Sequence, residues 1–154
     1  MAKIYHKFTI EAPASAVYPL LTTVEGLQKW WMEDSRGNPG EVGGEIEFGE
    51  KSSYYNKVKV KLLEPQKKVI WEVLETEGSN PESKVWNGTL IEFELEEKKL
   101  VRLGGKIATV TLFKHDGWPA GSEDNRFFAE ANFYWAYSLL SLKNISEGKP
   151  GLPM

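Results

Sequence analysis

Hydrophobic and polar positions alternate over residues 4–10. Ile4, His6, Phe8 and Ile10 share one face, and Tyr5, Lys7 and Thr9 share the other. A two-residue period predicts a half-buried strand. The period then changes. After Ala12-Pro13-Ala14-Ser15, residues Val17, Leu20, Leu21 and Val24 fall at helical spacing, and Pro13 suits a first helical turn. A cap from Thr22 or Thr23 predicts a second short helix with Leu27, Trp30 and Trp31 on its apolar side. Residues 34–44 are rich in Gly, Pro, Ser and Asn and predict a loop.

Alternation returns over residues 44–49, with Ile46 and Phe48 inward, and over 54–63. In the second of these, Val58, Val60 and Leu62 oppose Lys57, Lys59 and Lys61. Residues 64–67 predict a turn, and Val69 to Leu74 a strand buried on much of both sides. A loop at 77–83 leads to a long strand over 85–96, with Ile91, Phe93 and Leu95 inward. The last strand, 106–115, carries Thr109, Thr111, Phe113 and His115 on one face. From about Ser122 to Glu147 one long helix is expected, with Phe128, Ala131, Trp135, Leu139, Leu142 and Ile145 near the 3.6 period. Gly148 and Pro150 stop it, and the tail 148–154 is expected to fray. The order is β-α-α-β-β-β-β-β-α. Short connections predict an α+β fold in which an antiparallel six-stranded sheet packs on the long helix, roughly 38 Å at 1.5 Å per residue.

The chain has 154 residues, no internal repeat and no obvious linker, so one domain over 1–154 is expected. With 19 basic and 22 acidic residues its net charge is -3, which gives no general attraction to nucleic acid or anionic membranes. No cysteine is present, which excludes disulfides, thiolate metal sites and cysteine nucleophiles. With only His6 and His115, no metal or cofactor is expected. There is no phosphate-loop, dinucleotide or Gly-x-Ser-x-Gly motif. The N-terminus lacks a signal-type apolar run, and no stretch is long enough to span a bilayer, so a cytoplasmic location is expected. The lysines on alternate positions 57, 59 and 61 lie near Glu72, Glu92, Glu94 and Glu96 and predict cross-strand ion pairs.

Aromatic residues make up 12% of the chain, including six Trp. They either fill a bulky core or wall a cavity. Strand parity and the helix face select the candidate ligand-binding residues. They are Trp30, Trp31, Phe48, Tyr54, Asn56, Trp71, Asn87, Thr89, Phe93, Thr111, Phe113, His115, Trp118, Phe128, Trp135 and Leu139. Most are apolar, and the few polar ones need partners: each other, water or a ligand. His115, beside Asp116, is the one candidate general acid/base, or else a structural or ligand-orienting histidine.

The ordered phrases Ile10-Glu11-Ala12-Pro13-Ala14-Ser15-Ala16-Val17-Tyr18, Gly26-Leu27-Gln28-Lys29-Trp30-Trp31, Gly43-Gly44-Glu45-Ile46-Glu47-Phe48, Trp86-Asn87-Gly88-Thr89 and Thr109 to Trp118 span almost the whole chain. They resemble the START-like (SRPBCC) superfamily, which has the helix-grip fold of the birch-pollen allergen type. Within it they are most similar to the family of the C-terminal domain of the activator of the heat-shock-protein-90 ATPase. The resemblance implies a curved antiparallel sheet gripping the C-terminal helix. It also implies a small hydrophobic or aromatic ligand, lipid- or polyketide-like, held between them. Two alternatives stay open: a polyketide-cyclase-like or hydrolase-like enzyme using His115, and a chaperone-associated interaction module. Monomer and homodimer are both compatible with the sequence.

Overall fold

The computed structural model describes residues 2–51, 54–78 and 81–153. Strand β1 (Ile4–Ile10) is followed by helices α1 (Ala14–Thr22) and α2 (Val24–Trp30). Six further strands are β2 (Arg36–Gly37), β3 (Glu45–Glu50), β4 (Tyr54–Glu64), β5 (Lys68–Glu77), β6 (Leu90–Leu100) and β7 (Lys106–Asp116), and helix α3 (Arg126–Ser146) closes the order. The sheet therefore has seven strands rather than six, in the order β1-β7-β6-β5-β4-β3-β2, with every pair antiparallel. The extra strand is the two-residue β2, which pairs with β3 inside the predicted 34–44 loop. So short a segment leaves no alternation to read.

Two β-bulges reshape the inner face. The register steps from Lys57↔Glu75 to Val58↔Val73, which makes Leu74 an extra residue in β5. It steps again from Val60↔Trp71 to Leu62↔Ile70, which makes Lys61 extra in β4. A bulge reverses the inward parity of the residues beyond it. Leu63 rather than Leu62 therefore packs on the core, and Thr76 turns inward beyond Leu74. On the outer face Lys61 pairs with Glu72 at 3.7 Å as expected, whereas Lys57 pairs with Glu45 at 3.4 Å, and Glu92 is paired by Lys114 at 3.8 Å.

The expected strand from residue 85 begins five residues later. Pro81–Trp86 forms a 3-10 turn instead, ahead of Gly88 at φ 83. Glycine accepts that left-handed conformation without penalty. Of the expected 77–83 loop, residues 79 and 80 lie outside the described residues. Helix α3 also starts later than expected. Ser122–Asp124 is a 3-10 turn, and Asn125 caps α3 by accepting from the Phe127 N–H at 2.7 Å.

The described part of the tail, 148–153, lies against α3 rather than fraying free. Leu152 N–H donates to Ser141 Oγ at 3.1 Å, and the Tyr137 hydroxyl donates to the Pro153 carbonyl. Just before it, Glu147 accepts from the Glu11 N–H at 2.7 Å and pairs with Lys143 and Lys149.

The short helices deliver two indoles to the core. Thr23 caps α2 by accepting from Gly26 N–H, and a Cβ on Gly26 would sit 2.5 Å from the Pro19 carbonyl oxygen. Only glycine permits that close crossing of α1 and α2, which turns Trp30 and Trp31 under the sheet. Among the described residues no helix is long and apolar enough to cross a membrane.

Candidate functional site

The space between sheet and α3 is largely filled by rings. Trp30, Trp31, Trp71, Trp135, Phe48, Phe93 and Phe113 are each at most 2% exposed, and they form one continuous cluster. Trp31 is its centre. It stacks on Trp71 at 5.3 Å and Trp135 at 5.8 Å, and Phe48 meets it edge-on at 4.6 Å. Such pairs add about 0.5–1.5 kcal/mol each beyond their burial. All but one of the indole donors here are occupied, since Trp71 Nε1 has no partner among the described residues. Trp30 Nε1 donates to the Leu20 carbonyl at 2.7 Å, and Trp31 Nε1 to the Tyr134 hydroxyl at 2.7 Å.

His115 lies at the edge of this cluster with no exposed surface. Trp135 Nε1 stands 3.0 Å from His115 Nδ1, and an indole N–H can only donate, so Nδ1 accepts. The imidazole proton is then on Nε2, which donates to Thr89 Oγ1 at 2.7 Å. Thr89 in turn donates to the Trp86 carbonyl. The His115 carbonyl accepts from Trp118 Nε1 at 3.0 Å, and Trp118 is itself buried against Phe128 rather than standing over a loop. Burial pushes the His115 imidazole down to about 3, so it stays neutral. Asp116 is turned to the Gly117 N–H and gives the ring no carboxylate. A histidine with both nitrogens engaged by protein and no open face is a structural node. The geometry offers it no proton to exchange with a substrate.

Two parts of the sheet–helix interface are open: a cleft of about 170 Å³ between β1 and α3, with Lys7 and Lys143 among its walls, and a second that is walled by aromatic rings. The second cleft, of about 170 Å³, opens between the start of β4, the end of β5, the 81–86 turn and the first half of α3. Its walls are Tyr54, Asn56, Thr76, Ser83, Trp86, Phe127, Glu130, Ala131 and Tyr134. Asn56 is buried, and its Oδ1 accepts from the Thr76 hydroxyl at 2.9 Å. Among the described residues, three buried polar atoms of these walls have no partner: Asn56 Nδ2, Ser83 Oγ and Trp86 Nε1. Tyr54, 42% exposed, and the exposed Glu130 stand at the rim. Burial raises the Tyr54 phenol above its ordinary range. Burial, followed by the neighbouring Tyr54, raises Tyr134 further. Both hydroxyls are therefore neutral. Among the described residues Glu130 is the only charged one of the walls.

Larger hollows lie elsewhere, but their linings differ in kind. The hollow of about 550 Å³ beside the β4–β5 turn is lined mainly by the charged residues Glu64, Lys67, Lys68, Glu94, Glu96 and Glu97 and holds no aromatic ring.

The structure brings together some of the sequence-selected residues and separates others. Tyr54 and Asn56 line the cleft. Trp30, Trp31, Phe48, Trp71, Phe93, Thr111, Phe113, Trp135 and Leu139 are buried in the packed interior, and Thr89 and His115 in the hydrogen-bonded chain. Asn87 faces outward, against expectation. It sits in the turn after Trp86, where its Oδ1 accepts from the Thr76 N–H at 2.8 Å. Of the other cleft residues, helical spacing had already turned Ala131 inward, but Thr76, Ser83, Trp86, Phe127, Glu130 and Tyr134 were missed, the first three because a bulge and a 3-10 turn precede or contain them. Among the described residues, no group of three or more His, Asp or Glu side chains is placed to hold a metal ion.

Residues 11–147 match the profile of the family described as activator of Hsp90 ATPase homolog 1-like protein. The chain belongs to that family. Solved structures agree. The solution structure of the Aha1 dimer from Colwellia psychrerythraea is 35% identical, covering 96% of this chain and 97% of that one at a TM-score of 0.73. Protein MLL2253 from Mesorhizobium loti is 15% identical, over 92% and 94% of the two chains, with a TM-score of 0.72. DynU16, described as a putative protein in the dynemicin biosynthetic locus, is 16% identical and has a TM-score of 0.65. The match to DynU16 covers 96% of this chain and 48% of that one. The last two likenesses are of fold alone. No curated protein matches the sequence. Fold and family are thus those of the helix-grip group, and within that group chemistry must be argued from the site.

Proposed function

We propose that this member of the Hsp90-ATPase-activator-like family binds a small, flat, largely apolar molecule in the Tyr54–Trp86–Tyr134 cleft. The observation that carries the reading is the cleft itself: an aromatic-walled opening at the sheet–helix interface, with three unpartnered buried polar atoms in its walls. At about 170 Å³ it slightly exceeds the ~150 Å³ that holds one benzene ring. It suits a single ring or the end of a longer chain, and it is too small for a sterol or a folded polyketide without further opening. The neutral, enclosed His115 speaks against the proton-transfer alternative. The reading is therefore of a binder.

A screen of small aromatic compounds by thermal shift, beside native mass spectrometry of freshly expressed protein, tests this. Ala131 lines the cleft and is 4% exposed, so Ala131→Leu should occupy the space a ligand needs. The expected result is at least one single-ring compound that raises the melting temperature of the parent protein and not of Ala131→Leu. Binding that survives Ala131→Leu unchanged would move the site elsewhere. No binding up to millimolar concentration would overturn the reading.

A further inference from the structure

The polar atoms left over in the cleft walls are not a random set. Trp86 Nε1 is a donor only. Asn56 has committed its oxygen to the Thr76 hydroxyl, so what remains is the Nδ2 amide, again a donor. Ser83 Oγ has no partner among the described residues and can adapt to whatever it meets. Trp86 and Ser83 are 5% exposed and Asn56 2%, so bulk water does not serve them. Tyr134 receives the Trp31 N–H on its oxygen, and its hydroxyl is engaged by that of Tyr54. The cleft is an apolar sleeve with two unpartnered buried donors, Trp86 Nε1 and Asn56 Nδ2, and a serine hydroxyl that can donate or accept. Among the described residues its walls hold no lysine, arginine or histidine and one carboxylate, Glu130, which stands at the rim.

From this we infer that the ligand is a neutral aromatic molecule with a carbonyl-type oxygen at its buried end, an aryl ketone, amide or ester. This deepens the binding reading above and rests on it. An acceptor oxygen suits either unpartnered donor, Trp86 Nε1 or Asn56 Nδ2, and a carbonyl has two lone pairs to offer. A purely apolar ring leaves both donors unpaired, and a site built to hydrogen-bond its ligand discriminates strongly against an analogue that lacks the group. A carboxylate also accepts, but here it would be buried without a counter-charge and would pass Glu130 on entry. The donors lie beneath the cleft surface, so wall side chains must shift for a ligand oxygen to reach them.

The test compares three probes of one shape by calorimetry: acetophenone, isopropylbenzene and benzoate. Acetophenone is expected to bind at least 10-fold more tightly than either. In Trp86→Phe its advantage over isopropylbenzene should shrink to under 3-fold. The infrared C=O stretch of bound acetophenone supplies a reading on the parent protein, independent of how the variant folds. It is expected at lower frequency than in hexane, and a hexane-like frequency would overturn the inference. Equal affinity for isopropylbenzene would sink the carbonyl inference and leave an apolar ligand site standing. A preference for benzoate would replace it with an anion site. Binding of none of the three single-ring probes would take the parent reading down as well.

Discussion

Two ends of the same sheet–helix interface handle the same side chain differently. Around Trp31 the indoles stack, and each of Trp30, Trp31, Trp118 and Trp135 gives its N–H to a named acceptor. At the cleft, Trp86 is just as aromatic and 5% exposed, yet its N–H has no acceptor among the described residues. Trp71 shares that feature but lies inside the stack and lines no cleft. The contrast teaches that abundance of tryptophan does not mark a ligand site. What marks one is a buried donor left unserved beside open space, because a fold that needs only stability would pair it or replace it with an apolar group.

The comparison can be broken from the packed end first. Trp135→Ala removes a ring that stacks on Trp31 and Trp86 and strips His115 of its Nδ1 partner, so a loss of ~3–5 kcal/mol is expected in urea unfolding. A loss below 1 kcal/mol would mean that the packed end is not packed.

Next comes His115→Gln, expected to cost ~1–3 kcal/mol at pH 7 and to flatten the acid limb of stability. The sign is set by burial. The unfolded imidazole takes up a proton near 6.5, while the folded one resists until about 3. The unfolded state thus binds more protons across that window. Its contribution is complete above 6.5 and is lost as pH falls toward 3, by ~1.4 kcal/mol per unit. Comparing the unfolding free energies of parent and variant between pH 7 and pH 4 measures it. Parallel curves would show that the imidazole is not enclosed.

A matched pair sharpens the contrast directly. Trp30→Phe orphans the Leu20 carbonyl and should cost ~1–3 kcal/mol. Trp86→Phe loses no hydrogen bond and should cost under ~1 kcal/mol. Equal losses would erase the distinction between the ends. Smallest of all, Ser83→Ala should stay within ~0.5 kcal/mol of the parent by the same unfolding assay, since nothing described bonds to that hydroxyl.

The packed end was largely legible in the sequence. Clean alternation in β3 and β7 selected Ile46, Phe48, Thr111, Phe113 and His115, all of them buried. Helical spacing found Ala131, Trp135, Leu139 and Leu142. The cleft was legible only in part, for a physical reason. Parity propagates along a strand until something breaks it, and the cleft is built where it breaks. The Leu74 bulge turns Thr76 inward, and the 81–86 turn swings Trp86 in and Asn87 out. Single residues do not announce a bulge. Gly88, which takes the positive φ that ends the turn, was the available signal against a continuous strand from 85. Asn125 was likewise the cap that places the true start of α3.

The most direct measurement is a ¹H–¹⁵N spectrum of the tryptophan indoles, titrated with acetophenone. The account predicts that the Trp86 indole resonance moves furthest and downfield as its N–H gains an acceptor, while those of Trp30 and Trp118 hold their positions. A saturating titration in which the Trp86 resonance stays fixed, or moves no more than that of Trp30, would contradict it.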